Sequence, residues 1–148
     1  MIVDKKIEKL RSILKSIDSA LVAFSGGVDS IFLLAVAADT LGDKLLAVTG
    51  VSLAIPKSEI AQAVSLAKRL KVTHKLVVDT PPQKFWKNST QRCYYCKRQL
   101  FRQLKGIAAK NGLQCVIDAT NADDQGDYRP GIRALQELGV RSPLKEAG

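Results

Sequence analysis

The sequence predicts an α/β fold, a parallel sheet with helices packed against it. Three observations carry this expectation. Short apolar runs at residues 20–24, 44–49, 75–79 and 113–117 are separated by stretches with helical spacing of apolar residues. The run–helix–run order with these connections is that of βαβ units, which make parallel sheets with right-handed crossovers. Polar and glycine-rich residues gather just after the runs, at the strand ends where parallel sheets place their ligands.

Taken in order, Ile7, Leu10, Leu14 and Ile17 recur at three- and four-residue steps between Lys5, Lys6, Lys9, Arg11 and Lys15. This is an amphipathic helix covering one side of the sheet, with its basic face in solvent. Residues 20–24 form a buried strand, and residues 31–38, apolar on nearly every side, a buried helix. Gly42 and Asp43 break that helix before the strand at 44–49, which Gly50 ends. Pro56 opens the next helix, running through Ile60, Ala63, Val64, Ala67 and Leu70, since the first turn tolerates a missing N–H. His74, the only histidine, stands at the start of the strand 75–79 and reads as a surface or capping residue. Pro81 and Pro82 mark a loop that Phe85 and Trp86 anchor to the core. A helix through Leu100, Phe101, Leu104, Ile107 and Ala108 leads to the strand 113–117, where Cys115 reads as a packing residue. A last helix runs through Ile132, Leu135 and Leu138 to Gly139. An extended segment then begins at Val140.

Composition narrows the function classes. The chain has 148 residues, 46% of them hydrophobic, which is enough for one domain with a buried core. No apolar run reaches the ~18 residues of a membrane span, and the start lacks the apolar segment of a signal peptide, so a cytoplasmic protein without a membrane partner is expected. Three cysteines there argue against a disulfide framework. The formal net charge of +9 suits a polyanionic ligand such as a nucleotide, pyrophosphate or RNA, although most basic residues read as solvated helix faces.

The most informative stretch is residues 25–30, Ser-Gly-Gly-Val-Asp-Ser, on a strand-to-helix turn. Paired glycines allow a sharp turn and close approach of a ligand to the backbone. The helix that follows presents N–H groups without intrahelical partners and the positive end of its dipole, so loop and helix together form an anion site. Ser25 and Ser30 add hydroxyls. Asp29 adds a carboxylate that suits a Mg²⁺ ion between it and a phosphate. The stretch is neither a Walker loop, which needs a lysine after the glycines, nor a G-x-G-x-x-G turn. It resembles the PP-loop of the ATP pyrophosphatases, which split ATP between the α- and β-phosphates. Thr49, Gly50, Val51 and Ser52, at the end of the second strand, are plausible walls for an adenine ring.

The second informative stretch is Cys93-Tyr94-Tyr95-Cys96-Lys97 at the opening of a helix. If the helix includes them, Cys93 and Cys96 share a face at i and i+3. Such a pair can ligate a metal or cluster, continue the apolar stripe, or carry redox or sulfur chemistry. Lys97 is unfavourable against the dipole at that end, and either points to water or reaches an anionic ligand. After the fourth strand, residues 118–131 are rich in polar groups. There Arg129, with Arg133 beyond, can clamp phosphates or a carboxylate, and Asp123, Asp124 and Asp127 can bind Mg²⁺ or cap the helix.

With the PP-loop, the R-C-Y-Y-C-K segment, the stretch A-T-N-A-D-D-Q-G-D-Y-R-P-G-I-R-A and the following G-V-R-S-P-L, the chain resembles the LarE family of ATP-dependent sulfur transferases over essentially its whole length. The resemblance implies a doubly wound parallel sheet of about five strands, of the adenine-nucleotide α-hydrolase type. It implies that a carboxylate of a pyridinium dicarboxylate mononucleotide, a precursor of the nickel-pincer cofactor, attacks the α-phosphate of ATP. Pyrophosphate leaves, and a sulfur nucleophile displaces AMP to give a thiocarboxylate. By that resemblance Ala23, Phe24, Ser25, Gly26, Gly27, Val28, Asp29, Ser30, Thr49, Gly50, Val51, Thr120 and Arg129 surround ATP and pyrophosphate. Ser25, Asp29 and Lys97 are catalytic, Asp127 and Arg133 meet the substrate, Asp29 holds Mg²⁺, and Cys93 and Cys96 hold a [4Fe–4S] cluster.

The family continues beyond R-S-P-L with a half that carries a later cysteine. This chain ends at Gly148 with no equivalent of it. Nucleotide binding is therefore expected of the chain itself. Sulfur transfer is expected to need a homo-oligomer or a partner that supplies the other half. Three alternatives share parts of the pattern: a tRNA thiolation enzyme of the same superfamily, an amide-forming ligase of the NAD or GMP synthetase kind, and a nucleotide-binding module without its own activity. No RNA-binding module is visible and aromatics are 5%, which disfavours nucleic acid.

Overall fold

A computed structural model describes residues 2–51, 55–78, 92–120 and 130–148, with the side chains of residues 2–4, 92–97 and 130–133 excepted. The expected loop at Pro81 and Pro82 and its anchors Phe85 and Trp86 lie outside the described residues.

The elements are helix α1 (Ile2–Ile17), strand β1 (Ala20–Ala23), helix α2 (Val28–Leu41), a short 3₁₀ turn (Gly42–Lys44), strand β2 (Leu45–Val51), helix α3 (Lys57–Arg69), strand β3 (Thr73–Val78), helix α4 (Arg92–Lys110), strand β4 (Cys115–Ile117), helix α5 (Pro130–Glu137) and helix α6 (Pro143–Ala147). Among the described residues the sheet has four strands, in the order β3-β2-β1-β4. Every pairing is parallel: Leu21 lies opposite Leu46 and Val116, and Thr49 opposite Leu76.

Strands β1, β2 and β4 are largely buried on both faces, whereas β3 is mostly exposed, and the alternation of the buried strands assigns each face its helices. Ala20, Val22, Leu45, Ala47 and Ile117 point into one core with Leu10 and Leu14 of α1, Leu33 and Leu34 of α2, Ala63 and Ala67 of α3, and Ala147 of α6. Leu21, Leu46, Val48 and Val116 point to the other face, against Phe101, Leu104 and Ala108 of α4 and Leu135 of α5. The sheet is thus doubly wound. The chain steps outward from β1 through β2 to β3, then returns on the other side of β1 as β4. That reversal leaves a crevice at the carboxyl ends of β1 and β4, where such folds bind ligands.

Three details differ from expectation. α2 begins at Val28, so Val28, Asp29 and Ser30 belong to its first turn rather than to the loop. Gly50 does not end β2; it pairs within the ladder opposite Val77, and the strand runs on to Val51. The extended segment expected from Val140 contracts to one parallel bridge, Arg141 beside Ile117, because Pro143 starts α6 two residues later. A fifth strand position therefore exists beyond β4, occupied over a single residue.

Candidate functional site at the switch point

The site is built on the turn from β1 into α2. The Phe24 N–H donates to the Val48 carbonyl at 2.9 Å, which extends the β1–β2 ladder one residue past the strand. Gly26 then takes a φ of +84°, a left-handed conformation that costs a side-chain-bearing residue roughly 1–2 kcal/mol. A Cβ there would also lie 3.4 Å from the Cβ of Ala63 on α3, so the loop runs close over that helix. Gly27 is the N-cap of α2, and no side chain caps it. The first-turn N–H groups, which have no intrahelical acceptor, head the helix at the positive end of its dipole.

Two serine hydroxyls shape the turn. The Ser25 N–H donates to the Ser30 Oγ at 3.1 Å, drawing the loop onto the first turn of the helix. The Gly27 N–H donates to the Ser25 Oγ at 3.3 Å. Ser30 is buried, whereas Ser25, Gly27, Val28 and Asp29 are exposed and Ala23 and Gly26 half-buried. A concave run of backbone ending in an uncapped helix N-terminus can receive an anion. Asp29, acidic and in the first turn, suits one carboxylate ligand of a Mg²⁺ ion that draws its other ligands from phosphate and water.

Beside the loop, at the end of β2, Thr49 is buried with its hydroxyl engaged on both sides, while Gly50 and Val51 are half-buried. The Thr49 Oγ1 donates to the Phe24 carbonyl at 2.6 Å and lies 2.7 Å from the His74 Nε2. His74 is not the surface or capping residue that its isolation in the sequence suggested. It lies inside β3, half-buried, with its ring edge-on to Phe24 at a centroid distance of 6.0 Å. Burial lowers its pKa from 6.5.

Across the crevice, Asp118 follows β4 and is buried. Its Oδ2 accepts the Thr120 hydroxyl at 2.7 Å and its Oδ1 accepts the Ser142 hydroxyl at 2.6 Å. The backbone repeats the tie, with the Asp118 N–H donating to the Arg141 carbonyl at 3.0 Å and the Arg141 N–H to the Val116 carbonyl at 3.1 Å. Thr120 is thereby held at the carboxyl end of β4. Sequence reasoning placed Thr120 at the site but passed over Asp118; its position as the first polar residue after an apolar strand was the available signal.

The other expected site residues are less fully placed. Cys93, Cys96 and Lys97 fall within helix α4, so the two cysteines sit at i and i+3 on one helix face, and their side chains lie outside the described residues. Arg133 is in α5 with its side chain likewise outside them; Asp127 and Arg129 lie wholly outside. Among the described residues no group of three metal-ligating side chains assembles. Cys115 cannot complete a ligand set with Cys93 and Cys96. It packs into the core shared by α1, α2, α3 and α6, whereas α4 packs on the opposite face of the sheet. Its thiol is pushed up from 9.0, first by burial, with the Arg141 charge acting the other way. The donor set therefore fits a cluster only in part: two cysteines stand at helical spacing, and no third ligand joins them among the described residues.

No known family profile matches the chain. A Synechocystis protein of uncharacterised function is 41% identical over 97% of this chain and 54% of its own length. The pyridinium-3,5-bisthiocarboxylic acid mononucleotide synthase of Lactiplantibacillus plantarum is 39% identical over 90% of this chain and 50% of its own. The chain thus spans about half the length of the curated relatives it matches. Among solved structures, the glutamine-dependent NAD⁺ synthetase of Acinetobacter baumannii in complex with ADP superposes with a TM-score of 0.74 at 20% identity, over 97% of this chain and 30% of that one. The U34-tRNA thiolase NcsA of Methanococcus maripaludis, with its [4Fe–4S] cluster, superposes with a TM-score of 0.73 at 17% identity, over 97% of this chain and 59% of that one. At these identities the two structures establish the fold.

Proposed function

We propose that the chain is a PP-loop ATP pyrophosphatase, similar to a LarE-type synthase, that binds ATP at the Ser25–Ser30 turn and adenylates a substrate carboxylate. The observation that carries the reading is the left-handed Gly26 leading into the uncapped N-terminus of α2 at the sheet's switch point.

In the proposed reaction a carboxylate oxygen of a pyridinium dicarboxylate mononucleotide attacks the α-phosphorus of ATP. The bond from that phosphorus to the bridging oxygen breaks, and pyrophosphate departs with the electron pair. The loop N–H groups and the Ser25 and Ser30 hydroxyls receive the β- and γ-phosphates, so the charge that develops on the leaving group meets preorganised donors. Asp29 would hold Mg²⁺, which when bound neutralises phosphate charge. Ala23, Phe24, Val28, Thr49, Gly50, Val51 and Thr120 frame the nucleotide around this centre. Lys97 and Arg129 are assigned to its phosphates, and Asp127 and Arg133 to the mononucleotide.

The acyl-adenylate then loses AMP to a sulfur nucleophile, forming the C–S bond of a thiocarboxylate. Cys93 and Cys96 would hold a [4Fe–4S] cluster, which when bound supplies that sulfur. The step is assigned to the assembled enzyme, in which an oligomer or partner contributes the remaining ligand.

The test is pyrophosphate release from Mg-ATP in the presence of the pyridinium dicarboxylate mononucleotide, alongside ATP binding by calorimetry. Asp29→Asn is expected to lower pyrophosphate release at least tenfold while ATP still binds. Pyrophosphate release that requires tRNA instead would move the chain to the tRNA thiolation enzymes, and ATP binding with no release under either condition would reduce it to a nucleotide-binding module.

A further inference from the structure

A hydrogen-bonded relay runs from β3 at one side of the sheet to the glycine turn. It begins at His74, whose Nε2 lies 2.7 Å from the Thr49 Oγ1, and ends at the Phe24 carbonyl, 2.6 Å from the same hydroxyl. Phe24 is the residue immediately before Ser25. Its peptide groups are held on both sides by β2, the N–H by the Val48 carbonyl and the C=O by Thr49.

The direction of the relay follows from donor counting. A threonine hydroxyl has one proton, and a carbonyl oxygen can only accept. The proton of Thr49 is therefore directed at Phe24, and its oxygen must accept from His74. This requires a hydrogen on Nε2, so the neutral ring is the Nε2–H tautomer. The edge-on contact between the rings of His74 and Phe24, at an interplanar angle of 86°, fixes the imidazole plane.

We infer that His74 is a positioning residue for the nucleotide loop: its Nε2–H orients the Thr49 hydroxyl, which holds the Phe24 carbonyl and with it the entry into Ser25, Gly26 and Gly27. The inference takes its ligand from the nucleotide reading above, but its geometry stands without it. It concerns a residue that does not itself meet the phosphates, since the hydrogen-bonded path from His74 to the loop runs through Thr49. The relay is insensitive to protonation of the ring, because the imidazolium also carries a hydrogen on Nε2. Only loss of that donor, or of the hydroxyl, breaks it.

The experiment compares His74→Leu, which keeps bulk without a donor, with His74→Gln, whose side-chain amide can place an N–H near the position of Nε2. Thr49→Val and Thr49→Ser form the matching pair. Each is assayed for the ATP dissociation constant, for the backbone amide NMR shifts of Gly26 and Gly27, and for thermal stability. His74→Leu and Thr49→Val are expected to weaken ATP about fivefold, the scale of one hydrogen bond, and to move both glycine amides. His74→Gln and Thr49→Ser are expected to restore binding to within about twofold of the parent. The double variant His74→Leu/Thr49→Val should weaken ATP no more than Thr49→Val alone, because both act through one hydroxyl. Side-chain ¹⁵N shifts should report the Nε2–H tautomer in the parent. Unmoved glycine amides in folded His74→Leu, equal losses in the Leu and Gln variants, or an Nδ1–H tautomer would each overturn the inference. A parent protein that binds no ATP would instead remove the nucleotide reading, while the glycine amides and the tautomer would still decide the relay.

Discussion

The Oδ1 of Asp118 accepts a 2.6 Å hydrogen bond from the hydroxyl of Ser142, joining the end of β4 to the segment that starts α6. The same carboxylate holds Thr120 through its other oxygen. One buried acid thus organises both the second wall of the crevice and the return of the chain beyond β4. Removing the acid strands two hydroxyls, whereas removing Ser142 loses one bond. Asp118→Ala is expected to cost about 3 kcal/mol and Ser142→Ala about 1.5 kcal/mol, read from urea unfolding midpoints at unchanged slope. Equal small losses would show that the carboxylate is not the organising group.

Gly26 and Gly106 make opposite predictions for the same change. Gly26 sits at a φ of +84° with Ala63 close by, so Gly26→Ala should lose roughly 1–2 kcal/mol of stability and weaken ATP binding. Gly106 lies inside α4 with nothing within 4 Å of an added Cβ, and Gly106→Ala should gain about 0.5–1 kcal/mol. Thermal melts of the two variants check both signs.

His74 sets a pH dependence of stability. Burial lowers its folded-state pKa below the unfolded value near 6.5, so the unfolded chain binds the proton more readily. The contribution of His74 is fully present above that value, declines as pH falls through the window below it, and levels off beneath the folded pKa. His74→Gln should flatten that part of the stability profile. Chemical unfolding from about pH 8 down to about pH 5 would measure the difference. A parent and variant with parallel profiles would rule the effect out.

Cys115 is expected to behave as a packing thiol. Half-buried and with its pKa raised, it should react with iodoacetamide at about pH 8 more slowly than a small-molecule thiol, because the thiolate is the reactive form. Iron and sulfide content after anaerobic purification should be indifferent to Cys115→Ser and should vanish in the Cys93→Ala/Cys96→Ala variant. Loss of iron in Cys115→Ser would contradict its placement on the face of the sheet away from α4.

Periodicity made the helices and strands legible, because each buries an apolar face whose spacing shows in the residue order. Gly26, Gly27 and the helix behind them pointed to the proposed anion site for the same reason, since turn, donors and dipole all belong to one local segment. What periodicity could not show was contact between distant segments. His74 looked isolated because its partners, Thr49 and Phe24, lie 25 and more residues away in the chain and meet it only through strand register. Asp118 looked like any polar residue after a strand until Ser142 arrived beside it.

The amino-acid sequence by itself determined the parallel α/β class, the glycine turn with its serines and Asp29, and the helical spacing of Cys93 and Cys96. These are local properties, set by side-chain pattern and backbone preference. Only the tertiary structure decided that β4 returns beside β1 to open the crevice, that the Thr49 hydroxyl is engaged by Phe24 and His74, and that Cys115 and α4 lie on opposite faces of the sheet. Those facts depend on strand order and on which face each side chain occupies. Both are fixed when the two cores pack, by contacts between residues far apart in the chain.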